Sequence, residues 1–422
     1  MLEITRIKEN KAEIIELLKV RNMDAAAQIE KIIAVDEQWR SNKQKQDSLL
    51  AEGNAIAKQI GQLFAQKKQE EAEEAKKRGG ELRDEEKAVA EVVNALADEL
   101  QNLLYEIPNV PHPSVPAGNS DEDNVKISES GQIPVVGKNW LPHWELAKKH
   151  EIIDFEMGVK VTGAGFPFYT GKGARLQRAL INFFLDEARD AGYKEIIPPF
   201  VVNEASGYAT GQLPDKEGQM YHDAQDNLYL IPTAEVPLTN MYRNVILKEE
   251  ELPIKLTGYT PCFRREAGSY GSDVRGLNRL HQFDKVEIVR VEHPSQSYEV
   301  LDQMVAYVQG LLTKLNLPYR TLRLCGGDLG FTAALTIDLE VYSAAQDKWL
   351  EVSSISNFEA YQANRLKLRF KDADKKKNLA HTLNGSALAL PRILAALLEN
   401  NQTDNGINIP EVLVPYTGFE TI

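Results

Sequence analysis

Residues 1 to about 105 contain no proline, and Gly53, Gly61, Gly79 and Gly80 are their only glycines. A stretch so free of breakers and so rich in Ala, Glu, Lys, Gln and Leu has the composition of long helices. Its apolar residues repeat in heptads. Val35, Leu49, Ile56 and Leu63 share one register, with Ile32, Trp39 and Ile60 on the companion position. Asn42, Gln46 and Gly53 interrupt that seam. A second segment is cleaner: Leu82, Val89, Leu96 and Leu103 recur every seven residues, beside Val93, Leu100 and Ile107. Heptads of this kind make a left-handed coiled coil. The polar stretch QKKQEEAEEAKKRGG between them cannot face a core. The expected form is an antiparallel hairpin folding back around Gln66 to Gln69. A turn at Gly79-Gly80 would leave the second arm much shorter, and an intermolecular coiled coil is the other way to cover the seam.

Lys67, Lys68, Lys76, Lys77 and Arg78 cluster near the expected tip, with Arg40, Lys43 and Lys45 further down. Glu70, Glu71, Glu73 and Glu74 are interleaved with them, so composition alone reads this as a solvated charged face. A net charge of −13 argues against indiscriminate coating of nucleic acid but leaves room for a local basic surface. The stretch from Ile107 to Asp123 has four prolines and a polar tail, which reads as a linker. The expected division is therefore a helical domain over 1–107, a linker over 108–123 and a second domain over 124–422. No apolar run approaches the roughly 20 residues of a membrane-spanning helix. The charged N-terminus reads as neither signal nor transit peptide, and two cysteines supply neither a disulfide framework nor a zinc spacing. A cytoplasmic protein with no membrane association and no zinc is expected.

From about Asn124, strand signals mostly follow other strands, with helices inserted, which indicates an antiparallel sheet of the α+β type. The Gly171-x-Gly173 pair lacks the third glycine and the βαβ context of a dinucleotide site. More distinctive is Gly258 to Glu287, GYTPCFRREAGSYGSDVRGLNRLHQFDKVE, which reads as two antiparallel strands joined by a long loop. Arg264, Arg265 and Glu266 fall on the outgoing strand; Arg279, His281, Lys285 and Glu287 fall on the returning one. Alternation puts Arg264 with Glu266 on one face, and Phe283 with Lys285 and Glu287. A face with so many opposed charges gains little as a core and is suited to grip a polyanion bearing a flat ring. Further on, strand residues run into Thr233-Ala234-Glu235, and a strand-like start is expected to break at Asn384-Gly385-Ser386 into a helix carrying Arg392. A helix N-cap is the alternative role for Ser386.

These stretches resemble the motifs of the class II aminoacyl-tRNA synthetases, and within them the bacterial-type seryl-tRNA synthetases. Gly192-Tyr193-Lys194-Glu195-Ile196-Ile197-Pro198-Pro199 matches the first motif, which in the family forms a dimer interface. Phe263-Arg264-Arg265-Glu266 with Arg279-Leu280-His281-Gln282-Phe283 matches the second, and Gly385 through Arg392 the third. The likeness spans essentially the whole chain, arm included. It implies an antiparallel-sheet class II catalytic domain preceded by an antiparallel α-helical coiled-coil arm.

It also implies a reaction: activation of L-serine with ATP to seryl-adenylate, then transfer to the 3′ end of tRNA(Ser), with tRNA(Sec) admitted as a second acceptor. By resemblance Arg264 bridges the α-phosphate and the serine carboxylate, a task for a planar two-pronged cation. Glu266 would accept from the adenine amino group and Phe283 would stack on the ring. Arg279 and Arg392 would hold the terminal phosphates, so Arg264, Glu266 and Arg392 form the expected catalytic set. Arg265, Val352 and Ser353 join the ATP site. Glu351 and Ser354 are the expected Mg2+ ligands, being hard oxygen donors. Glu287 is the candidate for the serine hydroxyl, Thr233, Ala234 and Glu235 surround the amino group, and Ser386 lines the pocket. The loop after Glu266 is the candidate for meeting the tRNA acceptor end, and the arm for the tRNA itself. Two rivals stand beside this reading. One is a synthetase-like paralogue charging a carrier protein; the other is a non-catalytic coiled-coil scaffold.

Overall fold

The computed structural model describes residues 1–135, 137, 139–266 and 275–422. The loop beginning Ala267-Gly268-Ser269-Tyr270 lies outside the described residues. Two compact units form: Leu2–Lys19 with Met23–Pro108, and Met1 with Val20–Asn22 and Asn109–Ile422.

In the first unit, helices α1 (Ala26–Ala65, 40 residues) and α2 (Gln69–Glu106, 38 residues) pair along their length. The chain reverses at Gln66–Lys68, within the expected turn, and Gly79-Gly80 lie inside α2. Lys67 takes a left-handed φ of 59°, and the Lys68 amide closes the α1 end on the Leu63 carbonyl at 3.0 Å. Ile32, Val35 and Leu49 of α1 and Leu82, Val89 and Val93 of α2 are buried in the seam. The long helices do not extend back to the start of the chain. Two short helices, Ile4–Glu9 and Lys11–Lys19, precede them. Asn10 and Asn22 separate the elements, Asn22 with φ 59°; asparagine is among the few residues that visit that region readily.

Ion pairs cross the hairpin at Lys45–Glu85 (3.1 Å) and Arg78–Glu52 (3.2 Å), and Gln46 donates to Glu86 at 2.9 Å. Exposed pairs of this kind are worth about 0.2–1 kcal/mol each. Near the tip Lys68 pairs with Glu71 at 2.9 Å, whereas Lys67 and Lys77 have no carboxylate partner among the described residues.

The second unit is built on an eight-stranded sheet among the described residues. Its strands are β1 (Val125–Ser130), β2 (Lys194–Glu195), β3 (Ile254–Phe263), β4 (Gln282–Glu292), β5 (Tyr319–Arg323), β6 (Leu335–Ser343), β7 (Lys348–Asn357) and β8 (His381–Ala389). The order is β1-β5-β6-β7-β8-β4-β3-β2, antiparallel throughout except for the β2–β3 pair. Helices α3 (Gly171–Asp190), α4 (Ser297–Lys314) and α5 (Leu390–Asn400) cover one face. There Leu176, Leu180 and Phe184 of α3, Met304 and Val308 of α4, and Ile393 and Leu394 of α5 meet Val286, Ile288, Ile337, Leu339, Ile355 and Leu383 of the strands. Because strand side chains alternate, the residues between these fall on the other face. They include Asp338, Ser354, Asn384, Ser386, Lys285 and Glu287.

The proline-rich stretch after Pro108 is packed on this unit. Asn109 donates from its amide nitrogen to the Phe331 carbonyl (2.9 Å) and from Nδ2 to the Phe358 carbonyl (2.8 Å), and His112 N–H donates to Ala334 (2.8 Å).

Two local expectations are corrected. β3 ends at Phe263 and β4 begins at Gln282, so Arg264, Arg265, Glu266, Arg279 and His281 lie beyond the strand ends and Arg264 and Glu266 share no strand face; Glu266 has φ 51° and the alternation is lost there. The strand at Asn384-Gly385-Ser386 does not break into a helix. It is paired on both sides there, Gly385 with Ile288 and with Ile355, and it continues to Ala389 before α5 begins at Leu390. Ser386 is therefore a strand residue and not an N-cap.

Candidate active site

Glu287 lies in β4 directly opposite Ser386 of β8 and Gly258 of β3, near the middle of the polar face. It is fully buried, and three groups hold its carboxylate. Lys285 Nζ approaches Oε2 at 2.6 Å, Thr233 donates its hydroxyl to Oε2 at 3.1 Å, and Asn384 Nδ2 donates to Oε1 at 3.1 Å. A buried ion of this kind is tolerable only with its charge paired and its lone pairs bonded. Lys285 was expected only as one charge of the gripping face and Asn384 only at a strand end; neither was assigned a substrate contact. Each sits two residues before one that was, on the same strand face, and that spacing was the available signal.

Glu235 opens a short helix, Glu235–Asn240, and is buried beside Glu287. Burial pushes its carboxyl up, the neighbouring Glu287 charge adds to this, and a Gln362 hydrogen bond offsets part, leaving it at about 7. Gln362 donates Nε2 to Glu235 at 2.6 Å and accepts from the Thr382 hydroxyl at 2.8 Å, which fixes its amide orientation. No local pattern marked Gln362. Ala234 is buried next to this pair.

Arg264 leaves β3 at the rim. Its N–H donates to the His281 carbonyl at 2.9 Å, and its guanidinium lies 5.3 Å from the Phe283 ring centroid. It has no carboxylate partner among the described residues, so its charge is available to an anion. Arg265 lies over the Tyr221 ring at 5.4 Å, and the Tyr221 hydroxyl meets His281 Nδ1 at 3.0 Å. Glu266 is bound by Arg279 across the strand ends. On α5, Arg392 donates to the Asn278 carbonyl at 2.9 Å and the Glu351 carbonyl at 2.8 Å.

In β7 Glu351 is exposed, Val352 and Ser353 are buried, and Ser353 donates its hydroxyl to the Ser386 carbonyl at 2.6 Å. Ser354 pairs in register with Asp338 of β6. Asp338 is buried with Oδ1 unpartnered among the described residues. Burial and the nearby Glu351 charge raise its carboxyl, against a hydrogen bond from Ser354. A buried carboxylate oxygen without a partner, next to a second carboxylate and a hydroxyl, is a donor set that suits a hard divalent cation. Asp338 was missed because only the strand register brings it to Ser354. Among the described residues no group of three His, Cys, Asp or Glu side chains is placed to hold a metal ion.

The arrangement thus offers two buried carboxylates suited to a small cationic group, an arginine with no carboxylate partner among the described residues, an aromatic ring, and a hard-oxygen set.

Residues 219–401 match the model of the tRNA synthetase class II core domain (G, H, P, S and T), and residues 1–111 that of the seryl-tRNA synthetase N-terminal domain. The chain is 48% identical over 424 residues to a serine–tRNA ligase of Salinibacter ruber, covering 100% of this chain and 99% of the relative. It is 46% identical to that of Akkermansia muciniphila, again with 100% and 99% covered. A crystal structure of seryl-tRNA synthetase from Pyrococcus horikoshii complexed with ATP superposes with a TM-score of 0.91 at 34% identity, over 100% of this chain and 99% of that one. With both domains matched and full-length relatives well above 30% identity, the chain belongs to the seryl-tRNA synthetase family.

Proposed function

We propose that the protein is a serine–tRNA ligase: it forms seryl-adenylate from L-serine and ATP, releases diphosphate, and passes serine to the 3′ end of tRNA(Ser). The observation that carries this is the buried Glu287, whose carboxylate sits among Lys285, Thr233 and Asn384 beside a second buried acid. Glu287 receives the substrate hydroxyl, and Glu235 with Thr233 and Ala234 receives the ammonium, while Ser386 lines the floor. A site built around a hydroxyl rejects alanine by about 10⁴-fold or more, because its own polar groups would be left unpaired.

Arg264 holds the serine carboxylate against the α-phosphate, where charge develops as the anhydride forms. Phe283 takes the adenine ring once Arg264 moves to its ligands, Glu266 accepts from the adenine amino group, and Arg265 supports the same site. Arg279 and Arg392 neutralise the terminal phosphates, with Val352 and Ser353 forming the wall. Magnesium, when bound, supplies further neutralisation of the phosphates; Glu351, Ser354 and Asp338 would hold it.

The domain roles follow: 1–107 as the tRNA-binding coiled coil, 108–123 as the connection and 124–422 as the catalytic domain. Lys67 and Lys77 at the tip are the cations freest to meet phosphate. A homodimer through the first motif is supported by Ile197, an apolar side chain 84% exposed. The same reading places the protein in the cytoplasm; no helix among the described residues is long and apolar enough to cross a membrane. Pyrophosphate exchange with each amino acid in turn tests the core of this reading, and exchange with another amino acid but not serine would overturn it. Charging assays with tRNA(Ser) and tRNA(Sec) decide the acceptors, and sedimentation decides the dimer.

A further inference from the structure

Below the polar face, and outside the pocket described above, His143 and Glu399 form a pair whose side chains are both 0% exposed. His143 opens a short helix, His143–Lys149, and Glu399 lies in the last turn of α5. His143 Nδ1 meets Glu399 Oε1 at 2.7 Å, and the His143 backbone N–H donates to the same oxygen at 2.9 Å. The other ring nitrogen, Nε2, accepts the backbone N–H of Leu277 at 2.8 Å. An acceptor at Nε2 requires the proton on Nδ1, so Glu399 selects the tautomer that can receive Leu277. Ser343 donates to the second Glu399 oxygen, and Gln346 donates to the first at 3.0 Å.

Leu277 belongs to the segment that returns toward β4 through Asn278 and Arg279. The helix start grips this segment along three successive residues. Gly276 packs so closely on His143 that a side chain there would come within 2.2 Å of Nε2, and its φ is +69°. Arg275 stacks on Trp144 at 4.8 Å and pairs with Glu145 at 3.4 Å. Asn278 donates to Gln346 at 2.8 Å and accepts Arg392 Nε at 2.9 Å. The bonds therefore run without a gap from Glu399 through His143 and Gln346 to Leu277 and Asn278, and from there to Arg392. A largely buried network of this kind, bonded throughout except at Asn278 Oδ1, holds one geometry because displacement strands further polar groups. None of its bonds leads to Glu235 or Glu287.

We infer that His143 is a positioning residue for the nucleotide: anchored by Glu399, it fixes the backbone at 276–278 and through it the aim of Arg392, leaving the serine pocket unaffected. This rests on the adenylate-forming reading above. The three variants separate the two bonds of the ring. His143→Asn keeps a donor near Glu399 but cannot reach Leu277, His143→Gln keeps an acceptor at the Leu277 distance, and Gly276→Ala pushes the segment off His143 from the other side.

The measurements are KM for ATP and for serine in pyrophosphate exchange, with calorimetric titration of ATP alone on the full chain. H143N and G276A are expected to weaken ATP by about tenfold, the scale of one buried hydrogen bond, with KM for serine unchanged and H143Q within about threefold of the parent. A parallel rise in both KM values, or unchanged ATP binding in H143N and G276A, would overturn the inference. Absence of serine exchange in the parent protein would count against the adenylate reading, and the ATP titration would still judge His143.

Discussion

The arm and the polar sheet face are both dense in charge, yet the charges are held in opposite ways. On the arm, Lys45–Glu85 and Arg78–Glu52 stand in water on either side of a thin apolar seam, and each partner is about half exposed. On the sheet, Lys285 and Glu287 are 7% and 1% exposed and share bonds with Thr233 and Asn384. Water screens the first kind, so its members are nearly independent and each contributes little. Removing one partner of the second kind leaves a buried charge with nothing to answer it, which costs about 3–5 kcal/mol. On the proposed reading the arm meets a large polyanion, a task that many weak, separable charges serve. A pocket that must recognise a few atoms needs interlocked ones.

Deleting the arm from Val35 to Leu100 probes this contrast most severely. tRNA charging is expected to collapse while serine-dependent pyrophosphate exchange persists; equal loss of both would mean that the two regions do not divide the work. Next in size, Arg264→Ala should lower adenylate formation by about 10²–10³-fold, the usual cost of one preorganised group at a developing charge. Near-normal exchange would remove Arg264 from the reaction.

Glu235 provides a pH test of the interlocked side. Its carboxyl stands at about 7 against an ordinary value of 4.5, so the folded protein binds more protons than the unfolded chain between those values. The stability this gives is fully present below pH 4.5 and is lost as pH rises to 7, about 3 kcal/mol in all. Glu235→Gln should flatten this slope in urea melts run at pH 5 and pH 8, and an unchanged slope would place the titration elsewhere. The smallest effect is expected on the arm: Lys45→Ala should shift the melt by less than about 1 kcal/mol. A loss as large as that from Glu287→Ala would erase the distinction between the two kinds of charge.

Much of the molecule was legible because its signals are local. The heptads pointed to the arm and to a turn around Gln66 to Gln69, where the apolar seam runs out, and the chain reverses there at Gln66–Lys68. The motif arginines and glutamates were legible by resemblance, and Glu287, Thr233 and Glu235 do come together in the structure. Gln362 and Asp338 were not legible. Gln362 reaches Glu235 from a helix 127 positions away, and Asp338 faces Ser354 only through the β6–β7 register. Alternation also misjudged the strand ends, because pairing decides where a strand stops. Phe263 is the last residue of β3 to pair with β4, so the chain is free to turn at Glu266.

The sequence alone determined the helical arm, the antiparallel sheet class and the identities of the charged residues at the rim, since periodicity and composition act over neighbouring residues. Only the tertiary structure decided which charges are screened and which are locked. That property depends on how much water each group loses and on which distant partners replace it. Lys45 and Lys285 are the same side chain; one lies in water beside Glu85, and the other is enclosed at 2.6 Å from Glu287 by strands that meet only in the folded sheet.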